Sequence, residues 1–148
     1  MRIAIGSDHR GCQLKTHVID IITTAGHTHH DFGCYTEDAV DYPDIAVQVA
    51  QAVARGDYER GILICGTGIG MCIAANKVRG IRAAQCYDVF TAHRARLHND
   101  AQICCLAAEG NKTQTKVIVE DFLATDFEGG QHIARVQKIK KIEDEQCK

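Results

Sequence analysis

A cysteine at the end of a short apolar run, followed at once by a glycine-rich turn, gives this chain a place where a proton could be moved. Cys65-Gly66-Thr67-Gly68-Ile69-Gly70 comes directly after Gly61-Ile62-Leu63-Ile64, and a helical pattern begins just beyond it. Strand, turn and helix start, in that order, expose backbone N–H groups and a partial positive charge beside the sulfur. That field favours thiolate over thiol at Cys65, and an oxyanion near Thr67 would be met by fixed donors. Asp8-His9 follows a second apolar run, Arg2 to Gly6, so two more reactive side chains can reach the same end of a sheet. The G-x-G-x-G spacing has neither the third glycine of a dinucleotide fingerprint nor the GK[ST] tail of a P-loop. It is the company of Cys65, Asp8 and His9 that turns a tight strand-to-helix turn into a candidate site. Asp8 has a competing use as the cap of the first helix.

Other constellations carry less chemistry. His27-Thr28-His29-His30 lies in a strand pattern that sends His27 and His29 to one face and His30 to the other, with no zinc-like spacing to a carboxylate or cysteine pair. No metal or other cofactor is expected. The eight cysteines, at 12, 34, 65, 72, 86, 104, 105 and 147, form no CxxC pair. With no secretory leader upstream, they read as reduced thiols of a cytoplasmic protein. Cys12, Cys72, Cys86, Cys104 and Cys105 sit among Ile, Leu and Ala and are expected to be small buried hydrophobes. A formal net charge of −2 and the lack of a basic cluster argue against nucleic acid as a partner, and no apolar run reaches membrane-spanning length. A small polar ligand is the better fit.

The elements that must position these residues follow from alternating periodicities. A chain of 148 residues with no low-complexity linker is expected to form one domain. Short apolar runs alternate with helical patterns, which predicts an α/β fold: a three-layer, Rossmann-like sandwich with a five-stranded parallel sheet and helices on both faces. The strands are expected at Arg2 to Gly6, His27 to Gly33, up to Cys65, Ile81 to Cys86 and Ile103 to Ala107. Helices are expected from about Leu14 to Ala25, Pro43 to Arg55, the glycine loop to Val78, Val89 to Leu97, Thr113 to Ala124 and residues 131–146, with Gly26, Gly56 and Gly129-Gly130 as stops. His98-Asn99-Asp100 falls between a helix and the fifth strand, and periodicity alone does not say which end of the sheet it occupies.

With these residues in view, the chain resembles the ribose/galactose isomerase family, which groups type B ribose-5-phosphate isomerases with the subunits of galactose-6-phosphate isomerase. The likeness spans nearly the whole length: Ile3 to Gly6 with Asp8-His9, Asp41-Tyr42-Pro43, Gly61 to Gly70, Ala74 to Lys77, Gly80 to Ala83, His98-Asn99-Asp100 and Glu128-Gly129-Gly130. The resemblance implies interconversion of D-ribose 5-phosphate and D-ribulose 5-phosphate, a step of the non-oxidative pentose phosphate pathway, without a metal. It implies that Cys65 moves the proton between C2 and C1, while Thr67 and the backbone of Gly66, Gly68 and Gly70 hold the oxyanion. His98, with Asp8 nearby, would help open the sugar ring; Tyr42 and Asn99 would contact hydroxyls; His9 and Arg135 would bind phosphate. It further implies a homodimer, or pairs of dimers, with sites at the interface. His98, Asn99 and Arg135 would then serve the neighbouring subunit's Cys65, and the last helix would pack on that subunit.

Two positions depart from the family pattern. Gln131 stands where the family usually has an arginine of Glu-Gly-Gly-Arg-His, and Glu109 stands where many members carry an arginine after the fifth strand. A neutral amide does not replace a charge-assisted Arg–phosphate pair, so either phosphate binds more weakly or another group, His132 or Arg135, compensates. His98-Asn99 favours the ribose branch, with allose 6-phosphate or galactose 6-phosphate as alternative substrates. A non-catalytic sugar-phosphate sensor is the reading from another class, although a sensor has no use for a poised thiol.

Overall fold

The computed structural model describes residues 1–146. In chain order the elements are β1 (Arg2–Ser7), α1 (Cys12–Thr24), β2 (Thr28–Asp31), α2 (Tyr42–Ala54), β3 (Arg60–Cys65), α3 (Ile69–Ala75), β4 (Ala83–Gln85), α4 (Val89–Leu97), β5 (Ile103–Ala107), α5 (Thr115–Ala124) and α6 (Gln131–Gln146). A 3-10 turn, His9–Gly11, joins β1 to α1. The five strands form one parallel sheet, as the alternating pattern predicts, and their order is β2-β1-β3-β5-β4.

The three central strands are apolar without interruption because both of their faces are covered. Ile3, Ile5, Ile62, Ile64, Cys104 and Leu106 point to one face, where Val18 and Ile22 of α1, Ala92 and Ala95 of α4, and Val119 and Phe122 of α5 meet them. Ala4, Leu63, Cys65, Ile103 and Cys105 point to the other, against Val49 and Ala50 of α2 and Met71 and Ala75 of α3. Each fully buried isoleucine contributes about 1.5–3 kcal/mol of transfer free energy, enough for these two layers to fix the register.

That register aligns the ends of the strands. Ser7 pairs with Ile64 and Cys65 with Ala107. Backbone bonds then continue past the strands, from Asp8 N–H to the Ile64 carbonyl (3.1 Å), from Ala108 N–H to Cys65 (2.8 Å) and from Glu109 N–H to Gly66 (2.9 Å). The turns after β1, β3 and β5 are thereby stitched into one rim.

The edge strands are shorter than their apolar patterns suggest. β2 pairs only with β1, and β4 only with β5, over four and three residues. Regular pairing of β2 ends before Gly33, whose φ is +103°. The third helix stops at Ala75 rather than near Val78. There the Asn76 side chain donates to Cys72 and Ala83 carbonyls and accepts from Ala83 N–H, which ends the helical ladder.

α6 stands apart from both core layers. Among its described residues only His132 is buried, and Ile133, Ile139 and Ile142 are exposed. Arg79 to Asp144 (2.6 Å) and Gly80 N–H to Glu143 (2.9 Å) tie it to the loop before β4. No helix among the described residues is long and apolar enough to cross a membrane. Seven of the eight cysteines are free thiols. Cys86, Cys104 and Cys105 are buried as expected, whereas Cys12 and Cys72 are only half-buried, and Cys147 lies outside the described residues.

Candidate active site

At the carboxyl ends of β1 and β3 a cleft of about 330 Å³ opens, lined by Asp8, His9, Tyr42, Cys65, Gly66, Thr67 and Gly70 among others. Its size suits a small ligand. Cys65 is only 4 % exposed, yet it forms part of this wall. The Gly68 N–H donates to Cys65 Sγ at 3.1 Å. Gly68 can aim it because its φ is +77°, a left-handed conformation that a side chain would strain.

The rest of the loop is equally constrained. Thr67 Oγ1 accepts from Ile69 N–H at 3.2 Å, leaving the hydroxyl proton free for a ligand. The Gln85 side-chain amide holds the Thr67 carbonyl. Gly70 lies under the Tyr42 ring, where an added Cβ would come within 2.6–2.7 Å of ring carbons. Gly70→Ala is therefore expected to push Tyr42 out of the cleft wall and to cost about 1–3 kcal/mol of stability; a denaturant melt, together with the KM of the variant, checks both.

His9 and Asp8 have divided duties. Val40 N–H points at His9 Nδ1 (3.3 Å), so the neutral ring carries its proton on Nε2, where it can be donated to a ligand. Asp8 Oδ1 accepts from Arg10 N–H (3.0 Å) and Gly11 N–H (3.1 Å), the cap that its position also suggested. No donor among the described residues takes Oδ2, and Asp8 still lines the cleft. Tyr42 opens α2, with Pro43 next to it fixing the entry of the chain.

The remaining residues fall elsewhere. α4 runs back from the carboxyl end of β4, so His98 at its C-cap sits near the start of β5, at the opposite end of the sheet from Cys65. Five residues of strand separate those ends by roughly 17 Å. Neither His98, Asn99 nor Arg135 lines the Cys65 cleft. His98 instead stacks on His132 (centroids 4.0 Å apart, 13° between planes), while Arg94 Nη1 lies 2.7 Å from His98 Nε2 and Arg135 Nη1 lies 3.4 Å from His132 Nδ1. Loss of water contact first, then His132 and Arg94, hold the pKa of His98 below the ordinary histidine value. Beside this group a groove of about 430 Å³ runs between Asn99, Arg94, exposed Phe90 and Ile139 of α6.

Glu128 completes a cluster that periodicity did not reveal. Its carboxylate lies 3.7 Å from His98 and 3.4 Å from His132, and the three groups bring possible metal-ligand atoms within 4.8 Å of one another. Arg94 and Arg135 put two positive charges against those same rings, which opposes a metal cation there and suits an anion. The thiol whose pKa is lowered, to about 7, is also unexpected. It is Cys72, through a hydrogen bond with the Cys105 thiol, against some burial, with help from Gln85 and Asn76. Cys72 faces the Ala83 carbonyl of β4 rather than the cleft.

A family model described as Ribose/Galactose Isomerase matches residues 3–139. The chain belongs to the ribose/galactose isomerase family. Within it, the chain is 44% identical over 144 residues to Ribose-5-P isomerase B of Listeria innocua, covering 97% of each chain. It is 43% identical over 148 residues to a D-erythrulose-4-phosphate isomerase of Pectobacterium atrosepticum, covering 99% of this chain and 97% of that one. Among solved structures, Ribose-5-Phosphate Isomerase B of Clostridium thermocellum superposes with a TM-score of 0.95 at 46% identity over 99% of both chains. The Mycoplasma genitalium enzyme, solved with bound ribulose-5-phosphate, gives 0.92 at 42% identity over 97% of each. As a ribose/galactose isomerase family member, the chain carries the cysteine cleft and the His98 cluster as two separate groups.

Proposed function

We propose that this chain interconverts D-ribose 5-phosphate and D-ribulose 5-phosphate, with Cys65 as the base, in the non-oxidative pentose phosphate pathway. The observation that carries the reading is a thiol in a ligand-sized cleft with a backbone N–H aimed at its sulfur. In the open-chain aldose, the Cys65 thiolate takes the proton on C2, and the electron pair moves through the C1–C2 bond to O1. The resulting enediolate is met by the Thr67 hydroxyl and by N–H groups of the glycine loop other than those of Gly68 and Ile69, which are committed to Cys65 Sγ and Thr67 Oγ1, donors in place before charge develops. The O2 proton passes to O1, and return of the abstracted proton to C1 then yields the ketose. No redox cofactor or metal is required, and turnover with EDTA present across tetrose, pentose and hexose phosphates tests reaction, substrate and metal independence together. Absence of turnover on all of them would leave only the sensor reading.

The ring-closed substrate needs a second group. We place His98, with Asn99 and Arg135, in the partner's cleft of a two-fold homodimer, because each chain holds two half-sites at opposite ends of its sheet. The exposed Phe90, Ile139 and Ile142 beside the second half-site offer the apolar surface that such an interface buries, with α6 packing across it. A lowered pKa keeps His98 neutral to more acid pH than an ordinary histidine. The acid limb of kcat/KM on ribose 5-phosphate is therefore expected to fall below about pH 6.5 and to vanish in His98→Asn; an acid limb unchanged by that substitution would remove His98 from the step.

The Pectobacterium relative favours a second reading, a four-carbon substrate such as D-erythrulose 4-phosphate. Chemistry separates the two readings. In D-erythrose 4-phosphate the C4 oxygen carries the phosphate, so no furanose can form and no ring-opening group is needed. His98→Asn should thus lower turnover of ribose 5-phosphate by about 100-fold and leave erythrose 4-phosphate nearly untouched.

A further inference from the structure

The wall of the Cys65 cleft offers a phosphate little positive charge. Asp8 and Asp41 line it, and among the described residues on its wall the one lysine or arginine is Arg10. Arg10 follows His9 in the 3-10 turn, so the two side chains rise from the same edge of the cleft. At the two positions where the family resemblance implies arginines, this chain has Gln131 and Glu109. His132, one group that could compensate, is 6 % exposed and stacked on His98, and Arg135 sits beside it at the other end of the sheet.

Glu109 does not subtract from the cleft. It lines a separate hollow of about 200 Å³, with Tyr87 and Asn111, and from there its side chain pairs with Arg10. Its Oε1 accepts from Arg10 Nη1 at 2.9 Å, and its own N–H is pinned to the Gly66 carbonyl at 2.9 Å. Gly66 leaves room for the arrangement. A Cβ there would stand 3.2 Å from both Arg10 Cδ and Glu109 Oε1, so a side chain at this position would press on the pair where it crosses the loop next to Cys65. Both partners are more than half exposed, so the pair contributes little to stability. What it does is fix a direction. With Nη1 held by Glu109, the Nε–H and Nη2 groups have no partner among the described residues and remain as a planar fork for an anion.

We propose that Arg10 is the phosphate-binding cation that this chain contributes to its own Cys65 cleft, beside the Nε2–H of His9, and that Glu109 is the positioning residue that holds its guanidinium over the glycine loop. The proposal rests on the sugar-phosphate reading of the same cleft and can be tested without it.

The probes are inorganic phosphate, bound in calorimetry and used as a competitive inhibitor, and whichever sugar phosphate the wild type turns over. Arg10→Ala is expected to weaken phosphate binding and raise KM by about 10- to 100-fold, the value of a charge-assisted contact, with a much smaller change in kcat. Arg10→Lys should recover part of the loss, since a point charge lacks the fork. Glu109→Ala should raise KM by about 3- to 10-fold, and Arg10→Ala with Glu109→Ala should be no worse than Arg10→Ala alone, because Glu109 acts only through Arg10. Unchanged phosphate binding and KM in Arg10→Ala, with an unaltered melting temperature, would overturn the assignment. Tighter phosphate binding in Glu109→Ala would overturn the positioning role. A wild type that binds phosphate through Arg10 but isomerises no sugar phosphate would sink the isomerase reading while leaving the anion site standing.

Discussion

Cys65→Ala is expected to lower kcat on the pentose phosphate by about 10²- to 10⁴-fold, the range over which a positioned general base accelerates proton transfer. The reason is local. No other side chain on the cleft wall combines a titratable thiol with a fixed N–H donor: Asp8 spends Oδ1 on two backbone N–H groups, and His9 spends Nδ1 on Val40. Removing the sulfur also creates only a small gap at the edge of the core, so the fold should persist and KM should move far less than kcat. Cys65→Ser is the sharper control, because a hydroxyl in the same place titrates far above the working pH and cannot become the base. Solvent tritium exchange into the C2 position of the substrate offers the check. Exchange at the wild-type rate in either variant would remove Cys65 from the proton transfer.

Mixing two inactive variants should restore activity. Cys65→Ala and His98→Asn homodimers, each crippled on ribose 5-phosphate, are expected to reassort into hybrids. One of the two sites in each hybrid then unites an intact Cys65 with an intact His98 from the other chain. Random reassortment makes half of the dimers hybrid, each with one complete site of two, so recovery should approach about a quarter of wild-type activity in a two-fold dimer. The argument is topological: within one chain the two residues lie at opposite ends of the sheet, and no side-chain rotation spans that gap. If the mixture performs no better than the average of its parents after denaturant-assisted exchange, sharing of the site between subunits is wrong.

How much of this was legible in the residues varies with the kind of signal. The core strands were, because burial on both faces demands unbroken apolar runs such as Ile62-Leu63-Ile64, and helix stops at Gly26 and Gly56 follow from their positive φ. Edge strands β2 and β4 are shorter than their apolar patterns, since half-satisfied ladders end where turns and side chains such as Asn76 take over, and composition does not report that competition. Asp8, His9, Cys65 and Thr67 were placed together by one rule, that parallel strands deliver their carboxyl ends to one rim.

The chain by itself thus determined the sheet, the thiol at the tip of its middle strand and the glycine loop that turns an N–H toward the sulfur, because each depends on contacts between near neighbours or on simple periodicity. Only the tertiary structure decided where His98 goes, that it stacks on His132 and Glu128 closes the group, and that Arg10 and Glu109 meet across Gly66. Those pairs come together through the register of the strands and the return path of α4, and residues 99 positions apart in sequence leave no local trace of being 2.9 Å apart in space.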